Sequence, residues 1–240
     1  MQALFLPGAQ WESASKAWLL NERNPMHVVI TGANRGIGLE LVRLYELEGH
    51  SVTKTARTPT PGFASLDVDD PASHRAFVAS LDGQPVDLLI ANAGVNFDPR
   101  HRLDDGYPLE HWSQTFLTNV TGVFINVQSM LPLLRAAAAP KIAIISSQLA
   151  SSTRSGTGLL IYRASKAAVL NLGRNLAQEL AGERLPVGIY HPGWVQTDMG
   201  GSNADINTQT SAAGLLEQIQ KLSPETSGIY EDYKGDPLPY

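Results

Sequence analysis

The chain contains no cysteine, which excludes disulfides, thiolate nucleophiles and cysteine-based metal sites. That composition suits a reducing compartment. Charge is also sparse: charged residues are 17% of the 240 and the net charge is −5. Such a balance gives no basic footprint for nucleic acid or an anionic membrane, while leaving room for local basic pockets. The six histidines are scattered without ligand spacing, so no metal site is expected. No apolar run approaches the roughly 18 residues of a membrane span, and the start, MQALFLPGAQ, lacks the basic region that opens a secretory signal. A soluble, cytoplasmic protein is expected.

What is present is an ordinary globular composition, 43% hydrophobic, in a length that fits one large domain; two small domains are the alternative. Residues 1–25 do not fit the pattern that follows. They hold Pro7-Gly8, a short helix from Ser13 to Leu20 and the turn-prone Asn24-Pro25, and read as an extension with no assigned chemistry. From Met26 to Tyr240 strand-like and helix-like segments alternate. Strands are expected at Val28 to Ile30, His50 to Ala56, Ala64 to Val68, Val86 to Ala91, Lys141 to Ile145, Val187 to Tyr190 and Gly228 to Tyr233. Helices are expected to follow the first glycine turn and to span Pro71 to Leu81, Leu109 to Leu134, Tyr162 to Leu180 and Ser211 to Leu222. This order predicts an α/β fold: a single Rossmann-type, doubly wound parallel sheet of about seven strands with helices on both faces.

The stretch from Met26 to Leu44, MHVVITGANRGIGLELVRL, joins a strand to a helix through Gly32, Gly36 and Gly38. Such a turn presents backbone N–H groups and a positive helix end to a pyrophosphate. Its spacing is not the common G-x-G-x-x-G, and a plain packing turn is the alternative. Polar and glycine residues fall at the other strand ends too: Arg57, Asp67, Asn92 to Gly94, Ser146-Ser147 and Pro192-Gly193. In an open parallel sheet those ends share one crevice. Tyr162 and Lys166 stand four apart on a helix and so share a face. An ammonium beside a phenol favours the phenolate, which suits a general acid or base. The pair alone is a common chance pattern; with the glycine loop and Ser146-Ser147 upstream, chance explains it poorly.

Together TGANRGIG, ANAG, Asn119, the Ser-Ser strand end, YRASK and PGWVQTD resemble the short-chain dehydrogenase/reductase family, in that order and over Met26 to Tyr240. The ending SGIYEDYKGDPLPY and the short Gly200 to Asn207 segment are more similar to its C-factor/sniffer-like carbonyl-reductase branch. The resemblance implies that Tyr162 gives a proton to a substrate carbonyl while a nicotinamide delivers hydride. It implies that Lys166 lowers the Tyr162 pKa and holds the nicotinamide ribose, that Ser147 hydrogen-bonds the carbonyl oxygen, and that Asn119, inside the long helix, binds a relay water. For Asn119, local satisfaction of a helix-interior amide is the alternative.

Gly32, Asn34, Arg35, Gly36, Ile37 and Gly38 are implied around the pyrophosphate, Asp67 and Val68 at the adenine, and Asn92, Ala93 and Gly94 on the adenosine side. Pro192, Gly193, Val195 and Thr197 are implied at the carboxamide. The family usually has Asn-Asn-Ala-Gly where this chain has Ala91-Asn92-Ala93-Gly94. The second strand ends Thr55-Ala56-Arg57 with no carboxylate to grip a ribose 2′-hydroxyl, and a guanidinium suits a phosphate. With Arg35 this favours NADPH. The expected function is reduction of an aldehyde or ketone; the alternative is a non-catalytic NADP(H)-binding regulator. A small-molecule substrate is expected, and the family's habit implies a homodimer through helices 109–134 and 162–180.

Overall fold

The structure, a computed structural model, describes residues 25–98, 102–104 and 106–240. The helix expected from Ser13 to Leu20 lies outside the described residues. Seven strands form one parallel sheet: β1 (His27–Ile30), β2 (Ser51–Ala56), β3 (Ala64–Ser65), β4 (Leu88–Ala91), β5 (Lys141–Ile145), β6 (Val187–His191) and β7 (Tyr230–Asp232). Their order is β3-β2-β1-β4-β5-β6-β7. The chain therefore winds outward one way from β1 and the other way from β4, which leaves a crevice between those two strand ends.

Alternation along each strand divides the core into two layers. Val29, Leu89, Ile142, Ile144 and Val187 face one side, against α2 (Pro71–Ser80), α4 (Gly122–Arg135) and α5 (Leu160–Glu179) through Phe77, Val127, Met130, Leu134, Val169 and Ala177. Val28, Ile30, Leu88, Ile90, Ala143 and Tyr190 face the other, against α1 (Gly36–Leu47) and α6 (Thr208–Lys221) through Leu41, Tyr45, Leu215 and Ile219. Strands covered on both faces read as the continuous apolar runs seen in the sequence.

Two elements differ from expectation. The segment expected as a strand from Ala64 to Val68 pairs only at Ala64–Ser65, because the Asp67 N–H turns to the hydroxyl of Ser73 in α2, 2.9 Å away. The helix expected from Leu109 to Leu134 is α3 (Leu109–Phe116), a π-helical turn (Leu117–Thr121) and α4. A π-turn inserts one residue and rotates the apolar stripe upstream of it. Trp112 and Phe116 are accordingly half-buried and stack on each other at 6.1 Å, while Val123, Val127 and Met130 enter the core. An 18-residue window within Leu109–Arg135 reaches a mean hydropathy of 1.2, long and apolar enough by composition alone to cross a membrane; half of that window is buried within the fold.

The turn from β1 into α1 depends on glycine at one close approach. A Cβ at Gly38 would lie 2.5 Å from the Gly32 carbonyl oxygen and 2.6 Å from the Asn92 amide nitrogen. Gly38→Ala is therefore expected to destabilise the fold by about 1–3 kcal/mol, read as a melting temperature lower by roughly 2–4 °C per kcal/mol. A melting curve that superimposes on the parent would contradict this packing.

Candidate active site

At the crevice, the ends of β1 and β4 are fastened together. The Thr31 hydroxyl accepts the backbone N–H groups of Asn92 (3.0 Å) and Ala93 (3.1 Å), and the Asn92 side-chain amide donates to the carbonyls of Thr31 (2.9 Å) and Gly32 (3.0 Å). Gly32 sits at φ +61°, where a Cβ would come within 2.9 Å of the Ala93 backbone. These contacts hold open a cavity of about 810 Å³ that runs from the glycine turn and the end of β2 to Tyr162, Lys166 and Thr197.

At the glycine end, α1 begins after Arg35, whose backbone is extended and whose side chain does not cap the helix. The first-turn residues Gly36, Ile37 and Gly38 line the cavity together with Asn34 and Arg35. Their N–H groups have no intrahelical acceptor, and the positive helix end adds to them, so this wall suits an anion. Arg57, Asp67 and Val68 form the far rim. Arg57 is exposed and makes no hydrogen bond or ion pair among the described residues. Arg35 pairs with Asp198 across the cavity mouth at 2.8 Å, both side chains solvent-exposed. The Asp67 carboxylate accepts the N–H of Asp69 at 3.1 Å. An open helix N-terminus with two guanidiniums at the rim fits a phosphorylated dinucleotide.

The other end is built from α5, the end of β5 and the π-turn. Lys166 is buried and donates to the Ile145 carbonyl at 3.0 Å, with its ammonium 5.6 Å from the centre of the Tyr162 ring. Burial brings its pKa down to about 8. Burial also pushes the Tyr162 phenol up to about 12, against a hydrogen bond from Ser147 that favours the phenolate. The Tyr162 pKa, expected to fall beside Lys166, instead rises: the ammonium is turned to a backbone carbonyl, and desolvation outweighs the Ser147 contribution. Tyr162 is a neutral, proton-bearing phenol at neutral pH, and Lys166 is mostly a cation.

Ser147 is nearly buried and its hydroxyl accepts the Leu149 N–H at 3.2 Å, whereas the Ser146 hydroxyl points to the Lys166 carbonyl at 3.3 Å. Of the two serines, only Ser147 bears on the Tyr162 phenol, favouring its ionised form. Asn119 lies in the π-turn rather than in regular helix. Its amide donates to the Val95 carbonyl (2.9 Å) and the Ser165 hydroxyl (3.0 Å), and its oxygen accepts the Val95 N–H (2.8 Å). Gly94 packs closely between them: a Cβ there would sit 3.2 Å from the Asn119 oxygen and 3.7 Å from the Lys166 ammonium.

Most of the sequence-derived residues therefore meet around one cavity. Four do not line it: Asn119 and Ser147, both buried, Gly193, which at φ +88° packs towards Ile206 and Tyr233, and the buried Val195, which bridges Ile206; Ser146 does line it. Pro192 and Thr197 do line it. The sequence reading missed Asp98, a buried carboxylate that accepts the Tyr162 backbone N–H at 2.9 Å. The residue before α5, Leu159, is in the left-handed region with no side-chain cap, so this remote carboxylate stabilises the helix start instead. No local motif marks such a cap. Burial takes the nearby His191 down to about 4, against the pull of Asp232, and keeps it neutral.

Comparison with known proteins follows the same geometry. The short chain dehydrogenase family model matches residues 26–207. C-signal of Myxococcus xanthus is 37% identical over 167 residues, 69% of this chain and 99% of that protein. Among solved structures, an NADPH-bound carbonyl reductase from chicken fatty liver superimposes with a TM-score of 0.82 at 31% identity, covering 90% of this chain and 99% of the other. The carbonyl reductase Sniffer of D. melanogaster does so at 0.83 and 27%, covering 90% and 100%. These likenesses agree with the C-factor/sniffer-like resemblance of the sequence. With its glycine turn, its Ser147, Tyr162 and Lys166 cluster and a family match over most of its length, the chain belongs to the short-chain dehydrogenase family.

Proposed function

We propose that the protein is an NADP(H)-dependent oxidoreductase that reduces an aldehyde or ketone to an alcohol. The observation that carries this reading is the meeting of a protonated Tyr162 and the Lys166 ammonium at one end of a cavity whose other end is an open helix N-terminus, with the buried Ser147 beside Tyr162. The printed descriptions of the chicken and fly relatives as carbonyl reductases, the former NADPH-bound, point the same way.

When bound, the nicotinamide supplies hydride to the carbonyl carbon. Tyr162 donates its phenolic proton to the carbonyl oxygen, and its raised pKa keeps that proton in place until the oxygen becomes basic. Ser147 donates a hydrogen bond to the same oxygen as negative charge develops there. Lys166 then stabilises the phenolate left on Tyr162, an interaction that is weak towards the neutral phenol and grows as charge forms. Asn119 fixes Val95 and Ser165, and through them the wall beside Lys166. Gly36, Ile37 and Gly38 would hold the pyrophosphate, and Arg57 and Arg35 the 2′-phosphate, with Asp67 and Val68 at the adenine and Pro192 and Thr197 at the carboxamide end. The exposed Leu109, Leu117 and Phe124 support pairing of helices 109–134 and 162–180 in a homodimer, and the lack of cysteine a cytoplasmic setting.

A second reading, an NADP(H)-binding signalling protein without turnover, draws on the 37% identity to a protein named C-signal. Turnover with a panel of carbonyls separates the two.

Tyr162→Phe is expected to lower kcat for carbonyl reduction by about 10²–10⁴-fold while NADPH still binds; parental turnover in that variant would rule out the proton donor. Arg57→Ala is expected to weaken NADPH binding about tenfold and leave NADH binding unchanged, on loss of one charge-assisted contact; equal losses for both would show that the side chain does not discriminate the phosphate. Because the folded pKa of Lys166 is about 8, the cation is present below that pH and lost above it. The kcat/KM for NADPH, which reports ionisations of the free protein, should fall above about pH 8, and a profile flat to pH 10 would remove Lys166 from the mechanism.

A further inference from the structure

The hydroxyl of Tyr230, in β7 near the end of the chain, donates to the backbone carbonyl of Ser147 at 2.6 Å, and both groups are buried. Ser147 opens the single 3₁₀ turn Gln148–Ala150, and its carbonyl also accepts the Ala150 N–H of that turn at 2.9 Å. The carbonyl would therefore stay hydrogen-bonded without Tyr230. What the phenol adds is a second, directional attachment of the serine backbone to a separate strand.

Everything around Tyr230 fixes that attachment. The chain folds back after β7, with the Leu238 N–H donating to the Tyr230 carbonyl at 2.9 Å. Leu238 joins Ala150, Leu170, Ile189 and Tyr230 in a small buried cluster. Tyr240 stacks on Tyr230 at 6.0 Å, lies 3.7 Å under the Arg174 guanidinium, and its backbone oxygen accepts the Ser152 hydroxyl at 2.9 Å. The last residues thus span from α5 to the segment just after Ser147 and hold the Tyr230 ring between them. Elsewhere the fold leaves the buried hydroxyls of Tyr45 and Tyr190 without partners, so a buried tyrosine here is not bound to find an acceptor.

We infer that Tyr230 is a positioning residue for the reaction: it holds the Ser147 backbone, and with it the place of the serine hydroxyl beside Tyr162. The C-terminal hairpin is then part of the active-site support. Burial pushes the Tyr230 pKa up, which keeps it a donor throughout the working range. The inference rests on the assignment of Ser147 in the proposed function, and it adds a residue that touches neither substrate nor cofactor.

Tyr230→Phe keeps the ring and its apolar contacts and deletes one oxygen. Measured on the full chain, it should lower kcat for carbonyl reduction about three- to tenfold, the effect of one net hydrogen bond, with the dissociation constant for NADPH unchanged. The pH at which alcohol oxidation rises should move upward, because the Ser147 hydrogen bond that favours the Tyr162 phenolate is loosened. Introduced into Ser147→Ala, the same substitution should cost nothing further. Parental kcat and pH profile in Tyr230→Phe, whether or not its melting temperature drops, would overturn the inference. So would an equal loss in both backgrounds, which would place the effect outside Ser147. Failure of the underlying assignment looks different: Ser147→Ala itself would then turn over at the parental rate.

Discussion

The fastening of β1 to β4 is the constraint on which the rest of the site depends. At the point where strand order reverses, two strand ends diverge and their last backbone groups lose ladder partners. Thr31 and Asn92 replace those partners with four hydrogen bonds. That tie fixes Gly32 against Ala93 and Gly38 against Asn92, which sets where α1 starts and where its free N–H groups point. It also fixes Gly94, over which Asn119 and Lys166 pack. Both halves of the cavity thus share one anchor, the anion-binding wall on the β1 side and the proton-transfer cluster on the β4 and β5 side. An asparagine assigned to the nucleotide by resemblance proves to have its amide nitrogen engaged by the protein itself.

The electrostatics of the cluster follow from burial more than from charge pairing. Desolvation penalises the phenolate of Tyr162 and the ammonium of Lys166 together, moving the two pKa values in opposite directions, to about 12 and about 8. An acid whose proton is held until charge appears on the substrate, beside a cation whose attraction grows with that charge, favours the transition state over the ground state. The cost is met by the surrounding fold, through the Ile145 carbonyl on Lys166 and the Asp98 carboxylate on the Tyr162 backbone.

The fold was largely legible because both layers of its core are written in strand alternation and helical spacing, as at Val28, Val29 and Ile30. The site was legible where a local pattern carries the chemistry, as in the glycine turn and in Tyr162 and Lys166. What could not be read depends on contacts distant in the chain. Asp98 meets Tyr162 64 residues away and Tyr230 meets Ser147 83 residues away, and neither pairing leaves a periodic trace. The π-turn was hidden because its residues, LTNVT, are compatible with ordinary helix; tight packing of Gly122 on the Val68 carbonyl accompanies the change of register there. The direction of the Tyr162 shift was missed because four-residue spacing places an ammonium on the same face without saying how far the fold desolvates the phenol.

The central claim is that this cavity carries out hydride transfer to a carbonyl, and the most direct test follows the transferred atom. The purified protein, incubated with NADPH deuterated at the reactive nicotinamide position and a panel of aldehydes and ketones, should yield an alcohol bearing one deuterium at the former carbonyl carbon by mass spectrometry. Binding of the labelled cofactor with no deuterium in any alcohol product would contradict the account and favour a nucleotide-binding protein that does not turn over.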